Sequence, residues 1–62
     1  MNLALIRVAD GGIAWRGTAE SFWQHMARLE DGGGWIRHWP GTGIAMFTEW
    51  TDPEGIRYAI RW

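Results

Sequence analysis

Cysteine and lysine are absent from this chain, and serine occurs once. Without thiols there is no disulfide and no thiolate metal site. The imidazoles, His25 and His38, stand in no ligand spacing with carboxylates, so neither a metal nor a cofactor is expected. Ser21 falls in the first turn of the one helical segment, and Asp10, Asp31 and Asp52 occupy turn or cap positions that explain them. No nucleophile or acid–base pair stands out, and an enzyme is not expected. The glycine runs Gly32-Gly33-Gly34 and Gly41-Thr42-Gly43 resemble no phosphate loop, because neither leads into a helix with the required lysine. Long apolar runs are also missing. Nothing approaches the roughly 18–20 residues that span a bilayer. The opening MNLALIRVAD is too short in its apolar part, is interrupted by Arg7, and has no basic segment before it, unlike a signal peptide. The expectation is a soluble, cytoplasmic protein with no membrane contact. Positive charge is not in excess either: the net charge is −1 and the pI about 6.0. That argues against a general nucleic-acid binder, whose affinity comes largely from neutralising phosphates.

What the chain does hold is aromatic weight. Its 62 residues form one domain, residues 1–62, near the lower limit for folding alone. Six tryptophans must carry much of the stability, since each aromatic can bury about 150–250 Å². All basic residues are arginine: Arg7, Arg16, Arg28, Arg37, Arg57 and Arg61. Arginine stacks on aromatics and forks onto carboxylates and phosphates, which lysine does poorly.

One segment carries a helical signature, TAESFWQHMARLEDGGG. Thr18 suits the N-cap, and Glu20 sits near the positive end of the dipole. Phe22, Met26 and Leu29 fall on one face, widened by Ala19 and Trp23. Gly32 suits the left-handed closure, so the helix is predicted over about 19–31. Before it, Asp10-Gly11 reads as a two-residue hairpin turn. That turn pairs Val8 with Ile13 and Ile6 with Trp15, placing these four with Ala4 on a core face and Leu5, Arg7, Ala14 and Arg16 on the other. Leu3 and Leu5 suggest that this strand is central. At the end of the chain, Asp52-Pro53-Glu54-Gly55 codes a turn in which Trp50 opposes Tyr58, Thr48 opposes Ile60 and Met46 opposes Trp62, all on the core face. Phe47, Glu49, Thr51, Arg57, Ala59 and Arg61 take the other face, where Glu49 can pair with arginine. The fold class is therefore α+β: an antiparallel sheet of four or five strands with a single helix packed on one face, in the order ββαβββ.

The strand WIRHWP is the open question, since a slip of one residue exchanges its faces. With the loop Gly41-Thr42-Gly43, Pro40 opposes Ile44, and Trp35, Arg37 and Trp39 lie on the outer face. With the loop Pro40 to Gly43, Trp39 opposes Ile44, and both tryptophans enter the core with Arg37. A buried arginine without a partner is costly, and a small core has little room for more indoles, so the outer face is favoured. Trp35, Arg37, Trp39, Phe47, Glu49, Arg57 and Arg61 then form the expected binding face, with Arg37 lying against its indole neighbours. Tryptophan and arginine are the residue types most enriched in binding hot spots. The competing arrangement has Trp35 and Trp39 covered by Leu3, Leu5 and the start of the chain.

The layout, with the helix opening AESFWQ and the closing hairpin GIAMFTEWTDPEGIRYAIRW, resembles small phage proteins, and in particular compact type I anti-CRISPR inhibitors that carry one helix on an antiparallel sheet. The resemblance spans most of the chain, is topological, and carries no functional residue across. It implies a stoichiometric inhibitor that binds a large nucleoprotein effector through a sheet face. The expected function is a non-catalytic protein-binding module acting by occlusion, with the alternative of a single-stranded nucleic-acid binder that uses Trp/Arg stacking. Nucleic acid ranks second as a partner because the chain is slightly acidic. Free sheet edges also allow a homodimer.

Overall fold

A computed structural model describes residues 1–38 and 48–62. Among these residues the chain builds β1 (Asn2–Arg7), β2 (Ile13–Thr18), α1 (Ala19–Gly32), β3 (Ile36–His38), β4 (Glu49–Thr51) and β5 (Arg57–Arg61). The strands form one antiparallel sheet in the order β2-β1-β5-β4-β3, with α1 lying across β1 and β2. The α+β class, the single helix and the order ββαβββ are as the sequence predicts. No described helix is long and apolar enough to cross a membrane.

The helix starts where the sequence says it should. The Thr18 hydroxyl accepts the Ser21 N–H at 3.2 Å, and Glu20 lies in the first turn. Its end differs slightly: Gly32 is still helical, Gly33 caps with its N–H on the Leu29 carbonyl, and Gly34, at φ +73°, takes the left-handed turn expected of Gly32. Phe22 and Met26 are fully buried, and Leu29 is half-buried. Their core partners are Leu3, Leu5, Trp50, Tyr58 and Ile60.

The closing hairpin keeps its predicted register, with Trp50 opposite Tyr58. The Asp52 carboxylate accepts the Glu54 and Ile56 N–H groups at 2.9 Å and the Tyr58 hydroxyl at 3.0 Å, so one side chain organises the whole turn. Gly55, at φ +87°, supplies the left-handed residue. Trp62 is a correction, standing 66% exposed rather than in the core. Its predicted partner Met46 lies outside the described residues.

The first hairpin departs from its expected register. The Arg7 N–H donates to the Gly12 carbonyl and the Gly11 N–H to the Arg7 carbonyl, so the loop is Val8–Gly11, not Asp10-Gly11 alone. Asp10 stabilises it by accepting the Gly12 N–H and two bonds from the Arg7 guanidinium. Leu5 pairs with Trp15 and Ile6 with Ile13, leaving Ala14 as an extra residue. Such a bulge reverses the alternation beyond it. Leu3, Leu5 and Trp15 therefore face the helix, while Val8 and Ile13 are 50% and 56% exposed. As expected, β1 is interior, between β2 and β5.

Candidate binding face

The register of β3 decides which predicted residues can share a surface. Arg37 pairs with Trp50, Ile36 with Thr51 and His38 with Glu49. The first candidate loop would have set Arg37 opposite Phe47 and the second opposite Met46, so neither gives this register. Arg37 shares the face of fully buried Trp50, on the helix side. The predicted outward placement of Trp35 and Arg37 is therefore corrected. Ile36 (61% exposed) and His38 are the residues that turn outward.

An unpartnered charge would be costly there, but Arg37 has partners. The Arg37 guanidinium donates to Glu30 at 2.9 Å and sits 5.6 Å from the Trp23 ring centroid and 5.9 Å from that of Trp50. The same Glu30 oxygen accepts the Trp50 indole N–H at 2.7 Å. The Arg37 side chain also keeps 39% of its surface in solvent, so it lies along the core edge rather than inside it. Trp35 is half-buried, with its ring 4.7 Å from that of Tyr58. A separate aromatic series runs through Trp23, Trp50, Phe22 and Trp15, with neighbouring ring centroids 5.3–5.9 Å apart, and ends with His25 stacked on Trp15 at 4.8 Å. Burial, and secondly the nearby Arg28, hold the His25 pKa below its ordinary value. Trp35 and Arg37 thus belong to the structural aromatic layer. Trp39 and Phe47 lie outside the described residues.

Glu49, Arg57 and Arg61 do occupy the helix-free face, as predicted. Arg57 Nε donates to Glu49 at 2.7 Å, and His38 Nε2 lies 2.6 Å from the Thr51 hydroxyl beside them. Arg61 has different neighbours. It pairs with Ala4, and on its other side Ala4 pairs with Arg16. Two arginines therefore straddle one small residue in a single row across β2, β1 and β5. Their Cα atoms are about 10 Å apart, two interstrand spacings. Between them opens a groove of about 440 Å³, lined also by Ile6, Ile13 and Trp62.

The charge on this face is unbalanced. Arg16, Arg57 and Arg61 stand against Glu49 alone, and Glu49 is engaged by Arg57. Among the described residues neither Arg16 nor Arg61 joins an ion pair, and the sequence of residues 39–47 contains no Asp or Glu. The acidic residues Glu20, Glu30 and Asp31 lie on the helix, while Asp10, Asp52 and Glu54 lie in or beside the hairpin turns. No three His, Cys, Asp or Glu side chains among the described residues gather as a metal site.

Sequence reasoning placed both Arg16 and Arg61 away from the core but did not bring them together. Strict alternation puts Ile6, Ile13 and Trp62 in the core, and the structure makes them part of this groove. The missing information was the pairing of β1 with β5, which has no local signature, and the bulge that turns Ile13 outward. No family model, curated protein or solved structure matches the chain.

Proposed function

We propose that the chain is a non-catalytic protein-binding module whose contact surface is the helix-free sheet face around Ile6, Ile13, Arg16, Arg61 and Trp62. The observation that carries this reading is the groove between two arginines that have no ion-pair partner among the described residues, edged by apolar side chains left in solvent. Exposed apolar surface beside arginine is the composition of an interface that combines a desolvated centre with charge-assisted hydrogen bonds. The domain acts by occlusion: it covers a site on a larger partner and performs no chemistry there. An inhibitor of a nucleoprotein effector, the kind of protein the layout resembles, would work in this way. The stacking platform required of a single-strand binder is less well supported, because Trp35 and Arg37 are committed to the helix side.

The test is capture of partners from nuclease-treated lysate of the source cells, with the wild-type chain and with Arg16→Glu/Arg61→Glu compared side by side. The expected result is a partner that survives nuclease and is lost from the charge-reversed chain, while that chain keeps the wild-type circular dichroism and melting. Equal capture by both chains overturns the assignment of the face. Loss of every partner on nuclease treatment supports nucleic-acid binding instead.

A further inference from the structure

The groove also indicates what kind of partner it takes. A second copy of the chain laid face to face would bring Arg16 and Arg61 against their own counterparts or against Arg57, with only the engaged Glu49 to offset them. Like charges opposed in an interface are repulsive, so this face is not built for self-association. A nucleic-acid strand offers phosphates, but it also needs exposed rings on which bases stack, and of the described tryptophans only Trp62 is exposed. An acidic protein segment fits both the charge and the apolar lining.

Resting on the reading of this face as a protein-binding surface, we infer that the groove is a two-point clamp for carboxylates. It takes a segment of a partner protein in which two acidic side chains flank apolar ones and reach Arg16 and Arg61 on either side of Ala4. Ala4 makes the clamp possible, because a larger side chain between the two arginines would fill the groove floor. Guanidinium groups suit the task, since each can donate two parallel hydrogen bonds to one carboxylate. Apolar side chains between the acids would rest on Ile6, Ile13 and the Trp62 indole. In a polyproline II segment, which has three residues per turn, residues three apart fall on one side and are separated by about 9 Å, close to the arginine spacing.

The clamp is tested with the full chain, ¹⁵N-labelled, and the capped tetrapeptide Glu-Leu-Ala-Glu as probe. Saturable shifts are expected at Ala4, Ile6, Ile13, Arg16 and Arg61 and at the Trp62 indole N–H. They should vanish with Gln-Leu-Ala-Gln. Arg16→Gln or Arg61→Gln should each weaken binding about fivefold, the scale of one exposed ion pair, and the double variant should abolish it. An Ala4→Leu chain with unchanged amide dispersion should also lose binding. Equal affinity for the glutamine peptide, equal affinity for a peptide with adjacent glutamates, or shifts lying elsewhere would each overturn the clamp. Tighter binding of an eight-residue thymidine oligonucleotide through the same residues would overturn it in favour of phosphate. Failure of the peptide, with capture of the cellular partner still sensitive to charge reversal, would defeat the clamp and leave the face assignment standing. Capture insensitive to charge reversal would defeat both.

Discussion

Replacing Glu30 with alanine should destabilise the domain far more than a half-exposed carboxylate ordinarily would. One Glu30 oxygen accepts both the Trp50 indole N–H, at 2.7 Å, and the Arg37 Nε–H, at 2.9 Å. Trp50 has no exposed surface, so without Glu30 its N–H is left buried and unsatisfied. That costs about 1–3 kcal/mol. The Arg37 pair is partly in solvent and adds about 0.2–1 kcal/mol after screening. The combined loss is about 1–4 kcal/mol, from a total that for a chain of this length is about 3–9 kcal/mol. Urea unfolding followed by circular dichroism measures it, as a lower midpoint at unchanged m-value. Glu30→Gln keeps an acceptor for Trp50 and loses only the charge opposite Arg37, so it should cost less than about 1 kcal/mol. In a Trp50→Phe background, where the donor is gone, Glu30→Ala should cost little more than the Arg37 pair. If alanine and glutamine are equally mild at position 30, the indole bond does not support the core and the reasoning fails.

Gly17→Ala should cost about 1–3 kcal/mol although it only adds a methyl group. A Cβ there would meet the Trp15 indole, with Cζ2 at 3.0 Å, and His25 stacked on that ring restricts its retreat. Thermal melting reads this, and a Gly17→Ala chain with wild-type melting would show that the Trp15 ring is free to move. Stability should also fall with acid in two stages. The folded His25 pKa is depressed, so its contribution is complete above the ordinary value of 6.5 and is lost as pH falls through the lower folded value. Asp10 and Asp52 behave alike at lower pH. For Asp10 the Arg7 hydrogen bond leads the depression. For Asp52 desolvation alone would raise the pKa, but bonds from Ile56, Tyr58 and Glu54 together outweigh it. Their contribution is present above the ordinary value of 3.8 and fades below it. Midpoints measured against pH check both stages, and His25→Gln should remove the first while leaving the second.

The parts of the fold that were legible in the sequence are those fixed by contacts between near neighbours. Thr18 at the cap, the Phe22–Met26 spacing and the Asp52–Gly55 turn each determine their own geometry, and each came out as read. Register across a longer or irregular connection is a different kind of quantity. The Asp10-Gly11 signal was real, since Gly11 has φ +72°, but the loop holds four residues and a bulge at Ala14 follows, so strict alternation placed Ile13 on the wrong side. For β3 the face depends on the cost of burying an arginine. That cost depends on where Glu30, seven residues earlier on the helix, places its carboxylate, and the local sequence does not contain this. The candidate face was legible in half: Arg61 and Arg57 were assigned to the outer side correctly, while the partner of Arg61 across the sheet could not be read before β1 was known to lie beside β5.

The β3 register also accounts for why the two faces of so small a sheet can differ in character. Had Trp35 and Arg37 pointed outward, the helix side would have lost the ring against Tyr58 and the guanidinium beside Trp23 and Trp50, and the outer face would have gained exposed indole at the expense of the core. Among the described residues, the observed register gathers the aromatics other than Trp62 under and beside the helix and leaves the outer face with isoleucines, arginines and the Trp62 indole. Arg16 and Arg61 are exposed and stand outside the core cluster, whereas Arg37 lies against Trp23 and Trp50. This separation is what allows binding and folding to be tested independently in a chain whose core has no side chain to spare.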